Sequence, residues 1–352
     1  MALPNQGDID RQSIAGAIST GTHGTGLSLP SMSAQVHGLT LLTSAGEWQS
    51  VQRSDAKHHE GGNGSNDERV NNEQGDERVN ALAVSLGCMG LISELTLNLM
   101  PTYVLDTHIW SESIPTILPQ VMQLVRTNRH VELMYFPWGN WAQVKCANIS
   151  QAAPQGKNRW TRFNEDHLEN AVFKKLNQLA LSTNSVVPIS KLIKHLSAKR
   201  SHVDWSHRAF PTVRTVGFQE MEFACAVDQF EEIFEEITHE IKVQNFKTLF
   251  PIEIRFTKGD PLWLSPFYQQ DSVCFAIHVY QTQAYEPFFS AMQAIFMRHK
   301  ARPHWGKWHS LNAHYFETVY PKWHDFLKLR QELDPCGRLL NPYLTSLFYP
   351  HR

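Results

Sequence analysis

The sequence predicts an α+β fold in two parts, residues 1–101 and 102–352, the second an antiparallel sheet covered by helices. Three observations carry this. Apolar alternation of period two recurs at 36–52, 92–99, 131–136, 142–147, 250–257 and 273–280, the mark of strands with one buried face. Stripes of helical spacing lie between or after them, at 117–125, 167–181, 186–199, 228–241 and 285–299. Pro101 stands where the first group of strands ends.

A chain of 352 residues is long enough for two cores. Its 32 basic and 34 acidic residues leave no electrostatic footprint for nucleic acid. Five cysteines without a C-x-x-C pair suggest neither a disulfide framework nor a zinc site, and a reduced, cytoplasmic setting fits them. His58 and His59 are adjacent with no third ligand at a defined spacing, so no metal site is expected. The chain has no apolar run long enough to span a membrane.

Residues 13–26, SIAGAISTGTHGTG, set Gly16, Gly21, Gly24 and Gly26 among the hydroxyls of Ser13, Ser19, Thr20, Thr22 and Thr25, around a single His23. Glycine lets backbone N–H groups approach a ligand and hydroxyls donate to phosphate oxygens, so the segment reads as an anion cradle. Its G-x-x-G-x-G order is neither the dinucleotide fingerprint nor a P-loop. Residues 36–52 read as a hairpin about a Ser-Ala-Gly-Glu turn, and 55–78 as a solvated, flexible insertion. From 80 to 100 a helical pattern turns into a strand at Gly87–Gly90.

Beyond Pro101, the stretch 186–199 puts Ile189, Leu192, Ile193 and Leu196 on one helix face, with Lys191, Lys194, Lys199 and Arg200 elsewhere. Such a stripe faces the core or rests on a membrane surface as a peripheral contact. Asp228 and Glu231 have the spacing of a capping box for a helix with Phe230, Ile233, Phe234, Ile237 and Ile241 inward. In 250–257, FPIEIRFT, Glu253 and Arg255 share one strand face opposite Ile252, Ile254 and Phe256. In 273–280, His278 shares a face with Cys274, Ala276 and Tyr280. The run RPHWGKWH at 302–309 carries His304 and Lys307.

Taken in order, 2–26, 80–101, 250–280, 302–309 and 333–344 resemble the sugar-lactone and alditol oxidase branch of the vanillyl-alcohol-oxidase-like flavoproteins. The resemblance implies that residues 1–101 are the C-terminal part of an FAD-binding domain and 102–352 a substrate or cap domain. It places Asp8, Ser13, Gly16, Thr20, Gly21, Thr22, His23, Gly24, Ile92 and His304 at FAD, and Glu253, Arg255, His278 and Lys307 at the chemistry. The family's histidine falls on Ala276, and His278 takes its hydroxyl position. LDPCGRLLNPYL at 333–344 resembles a tail that folds back near the active site.

The implied reaction is oxidation of D-arabinono- or L-gulono-1,4-lactone beside the carbonyl to a 2-keto lactone, an ascorbate-type product, with O2 reduced to H2O2. The absence of a side chain at Gly7 favours oxidase over dehydrogenase. An alditol oxidase and an inactive fragment are the alternatives. An R-x-x-G-x-G-H-S loop, which precedes this region in the family and carries any covalent flavin link, does not occur in the sequence, so weak, non-covalent FAD binding is expected.

Overall fold

The computed structural model describes residues 1–54, 66–156, 168–197, 199–211, 213 and 215–349. Two antiparallel sheets organise it. The smaller has the order β2-β1-β3, built from β1 (Val36–Leu42), β2 (Trp48–Gln52) and β3 (Leu91–Leu97). Short α1 (Ile14–Ser19) precedes it, and α2 (Asn66–Leu82) connects β2 to β3.

Helix α2 begins within the segment expected to be a flexible insertion; residues 55–65 lie outside the described residues. Its sequence is polar nearly throughout, so no apolar stripe announces a helix. Tertiary bonds hold it instead: Ser54 donates from N and Oγ to Asp76, and Arg53 Nη2 donates to Asn80 Oδ1 at 2.8 Å. Gly75 makes this approach feasible, since a Cβ there would lie 2.7 Å from the Gln52 carbonyl oxygen.

The larger sheet comprises β4 (Val104–Ser113), β5 (His130–Phe136), β6 (Trp141–Ser150), β7 (Arg200–Trp205), β8 (Phe218–Ala226), β9 (Ile252–Thr257), β10 (Ser272–Tyr280) and β11 (Arg302–Pro303). Their order is β11-β8-β10-β9-β5-β6-β4-β7. Every residue of β9 and β10 is buried, so these central strands are covered on both faces.

The apolar face is set by alternation. Leu133, Ile254, Phe275 and Phe223 lie directly across from one another, and α8 (Phe230–Val243) and α9 (Glu286–Arg298) pack over them. Phe223 stacks on Phe296 at 4.7 Å, and Phe230 meets Phe256 edge-on at 5.7 Å. Fully burying one such side chain contributes about 1.5–3 kcal/mol. Asp228 lies in a 3₁₀ turn ahead of α8 with no side-chain cap bond, so the capping box is not formed.

The opposite face is polar toward β8 and β10. Toward β6 it is partly roofed by α5 (Glu169–Thr183) and α6 (Val186–Leu196), through Phe173 on Phe250 at 5.1 Å and a bond from Trp141 Nε1 to the Ser190 carbonyl at 3.2 Å. In α6, Ile189 is buried but Leu192 and Leu196 are exposed. No helix among the described residues is long and apolar enough to cross a membrane. Residues 333–344 dock on the β1–β2 turn, where Ser44 donates to the Leu333 carbonyl at 3.0 Å. They also reach the 302–309 loop, with Tyr343 Oη 2.9 Å from His309 Nε2.

Candidate active site

Strand register builds the site in rows. One row crosses the sheet as Glu222, Ala276, Glu253, Met134 and Gln143. The next runs Cys274, Arg255, Glu132 and Lys145. Because side chains alternate across a strand, both rows belong to the polar face, opposite the Phe223–Phe275 core. Four strands distant in sequence thus bring their charges together.

Two cations dominate this surface. Arg255 is 6% exposed and faces three carboxylates: Asp8 at 3.0 Å, Glu132 at 3.7 Å, and Glu253. Burial opposes its charge, but Asp8 and Glu253 overcome this and raise its pKa well above the usual guanidinium value. Glu132 moves up, chiefly by burial and against the pull of Lys145. Lys307 is clasped by Glu220 at 2.5 Å and Glu222 at 2.8 Å. Burial disfavours its ammonium, and the two carboxylates more than restore it, raising the pKa.

His23 supplies a third positive centre. Its Nε2 meets Glu222 Oε1 at 2.7 Å and its Nδ1 faces the Gly24 carbonyl at 2.8 Å, so each nitrogen has an acceptor. Burial alone would lower its pKa; the neighbouring Cys274 and Glu222 outweigh that and raise it to about 10. Glu222 is likewise held well below the carboxylate range, since Lys307 and His23 outweigh its burial. His304 goes the other way, pushed to about 3 by burial and by Lys307. As a neutral ring it accepts from the Gly306 amide at Nδ1, 3.1 Å away.

A cavity of about 620 Å³ opens from this surface, with Asp8, Glu132 and His278 at its polar end. His278 Nδ1 lies 3.1 Å from the Pro251 carbonyl and Nε2 3.1 Å from Glu220.

The D-arabinono-1,4-lactone oxidase family model matches residues 95–347. The chain belongs to that family. It is 31% identical over 351 residues to an L-gulono-1,4-lactone dehydrogenase of Mycobacterium tuberculosis, covering 99% of this chain and 77% of the relative. It is 26% identical over 357 residues to an L-gulonolactone oxidase of Scyliorhinus torazame, covering 99% and 76%. Among solved structures, cholesterol oxidase of Brevibacterium sterolicum superposes with a TM-score of 0.69 at 16% identity, over 98% of this chain and 76% of that one, a likeness of fold.

Within this family member, most residues singled out by sequence converge. Asp8, His23, Glu253, Arg255, His278, His304 and Lys307 are joined through the carboxylates of β5, β8 and β9. Ile92 is not among them: it sits on β3 across from Leu41 and packs on the apolar core. Ser13 caps α1, its Oγ accepting from the Gly16 amide at 3.2 Å. Thr20 donates to the Gly16 carbonyl at 3.2 Å.

The cradle residues fit a bound cofactor. Thr22 Oγ1 is buried without a protein partner, a hydroxyl free for a ligand oxygen. Gly24 runs so close to Asn5 and the Gln6 carbonyl that no side chain fits. Gly21 has a φ of +77°, which glycine adopts without strain.

Sequence reading missed Glu220, Glu222 and Glu132. The signal was present in FQEMEFACA, where Glu220 and Glu222 alternate with the buried Met221 and Phe223 just as Glu253 and Arg255 alternate with Ile254.

Proposed function

We propose that this chain, with FAD as cofactor, oxidises an aldono-1,4-lactone at the hydroxyl-bearing carbon beside the carbonyl, giving a 2-keto lactone and passing two electrons to O2 to form H2O2. The observation that supports it most is the convergence of Arg255, Lys307 and His23 on one buried sheet face, at the edge of the glycine-rich cradle. FAD supplies the hydride acceptor, which gains negative charge when reduced. Fixed cations lower the cost of that charge because they need no reorganisation as it develops.

In this reading residues 1–101 serve the cofactor and 102–352 the substrate. Thr22, Gly21 and Gly24 would hold the pyrophosphate side of FAD, with Ser13, Gly16 and Thr20 shaping the turn before them. Arg255 and Lys307, positioned by Glu253 and by the Glu220–Glu222 pair, would supply the positive charge that stabilises the reduced cofactor. His278 lines the substrate end of the cavity, its ring held in place by the Pro251 carbonyl at Nδ1 and by Glu220 at Nε2. Glu253 and Glu132 are the carboxylates placed to take the hydroxyl proton, and burial raises the pKa of Glu132.

The test is H2O2 release from a panel of sugar lactones and alditols, with and without added FAD. Faster turnover of the alditols would replace the lactone reading by the alditol one. Peripheral membrane contact through α6 belongs to the same proposal, since Leu192 and Leu196 point outward beside the exposed Lys191. Sedimentation with anionic vesicles checks it; a chain that stays in the supernatant removes it.

A further inference from the structure

The cavity beside the catalytic cluster is lined for the most part by apolar side chains. Its volume of about 620 Å³ extends from Glu132 and His278 toward the region under α5 and α6. There its walls include Phe136 and Trp141 from the sheet and Phe173, Leu176 and Ile193 from the helices, while Gln143, Lys145, Arg200 and His202 supply polar groups along the sheet side. Leu168, Val172 and Leu196 also belong to the lining and are 45%, 42% and 64% exposed.

A free lactone carries hydroxyls on nearly every carbon. Burying a hydroxyl against Phe173, Leu176 and Ile193 without a partner costs about 1–3 kcal/mol, whereas each methylene placed there contributes about 0.8 kcal/mol. Exposed apolar side chains gathered at the rim of a pocket mark a surface that expects an apolar ligand.

We propose that the substrate is amphiphilic: an aldonolactone or related polyol whose carbon chain, at the end remote from the oxidised carbon, carries an apolar acyl or aryl group that occupies the space between β5, β6 and the two helices. The inference rests on the lactone-oxidation reading for the polar end alone. The ring and its reacting hydroxyl lie at Glu132 and His278, and the apolar group runs past Met134 toward Phe173 and Leu176.

Calorimetric titration of the purified chain with L-gulono-1,4-lactone and its 6-O-butanoyl, hexanoyl and octanoyl esters, each below its micellar concentration, tests this. The dissociation constant should fall with chain length, by at least about tenfold for the octanoyl ester relative to the free lactone, a change of about 1.4 kcal/mol. Leu176→Arg should abolish that gain and leave binding of the free lactone unchanged. If this variant does not fold, the chain-length series alone decides. A flat series overturns the proposal, as does methyl octanoate binding as tightly as the octanoyl ester, because the sugar end would then be unrecognised. Failure of every lactone to yield H2O2 would count against the reaction assigned above, while the binding series would still report on the apolar site.

Discussion

Glu222 is the residue through which the glycine-rich 13–26 segment and the RPHWGK loop are joined. One oxygen meets His23 and the other Lys307, and its backbone carbonyl accepts from the His304 amide at 2.9 Å. Glu222→Gln should therefore lower the pKa of His23 from about 10 toward its ordinary value. The His23 ring resonances in an NMR titration measure this, and a titration unchanged from wild type would remove Glu222 as the cause. Since His23 is raised, its contribution to stability is complete below about pH 6.5 and is lost as the pH climbs through about 10. The variant should lose less of its stability over that alkaline interval. Glycines differ just as sharply. Gly24→Ala would push a methyl into Asn5 and the Gln6 carbonyl, costing about 1–3 kcal/mol as overpacking does and weakening FAD binding. At Gly7 the nearest atom to an added methyl is Thr22 Cγ2 at 3.4 Å, ordinary contact, so Gly7→Ala should fold like wild type. Thermal unfolding and flavin titration of the two variants compare them.

At the scale of an element, the loop from β9 to β10 is held by a buried carboxyl. Asp260 accepts from Ser265 at 2.8 Å, Ser31 at 3.0 Å and the Leu262 amide at 3.1 Å, tying the 258–271 loop to the segment after the cradle. Burial raises its pKa to about 6 even though Ser265 and Leu262 oppose the shift. The folded chain thus keeps this proton to higher pH than the unfolded one. Its stabilising contribution is whole below about pH 4 and declines as the pH rises through about 6, by up to about 3 kcal/mol. Asp260→Asn removes the titration, so the midpoint of the variant relative to wild type should improve steadily from pH 4 to 6.5. A constant difference across that interval would falsify the assignment.

For the whole molecule, the large sheet is the plate on which everything is mounted, with aromatic packing on one face and charge on the other. Phe256, fully buried, packs against Phe230 on the apolar face while its neighbours Arg255 and Thr257 serve the polar face. Phe256→Ala should cost about 3–5 kcal/mol, the range for deleting a buried aromatic ring. It should also displace Arg255 and Thr257, the latter 3.2 Å from His23, so that flavin affinity falls together with stability. Denaturant unfolding followed by flavin titration at a folded concentration of denaturant separates the two effects. Loss of stability with unchanged flavin affinity would show that the two faces are uncoupled.

Which residues share a face can be read from local pattern alone. Alternation in FPIEIRFT placed Glu253 and Arg255 together because burial sorts side chains with the period of the strand, and the same rule sent Phe230, Ile233 and Phe296 into the core. The cradle was legible for a similar reason: glycines and hydroxyls in a short run have a local use. Which charges meet depends instead on how the strands assemble. Lys307 is bound by carboxylates 85 and 87 residues away, and His23 by one 199 away. Those pairs follow from strand order and register, which long-range packing selects and no local pattern records. Helix α2 was hidden because its bonds to β2 are tertiary, and the apolar cavity because it exists only where α5 and α6 lie across the sheet.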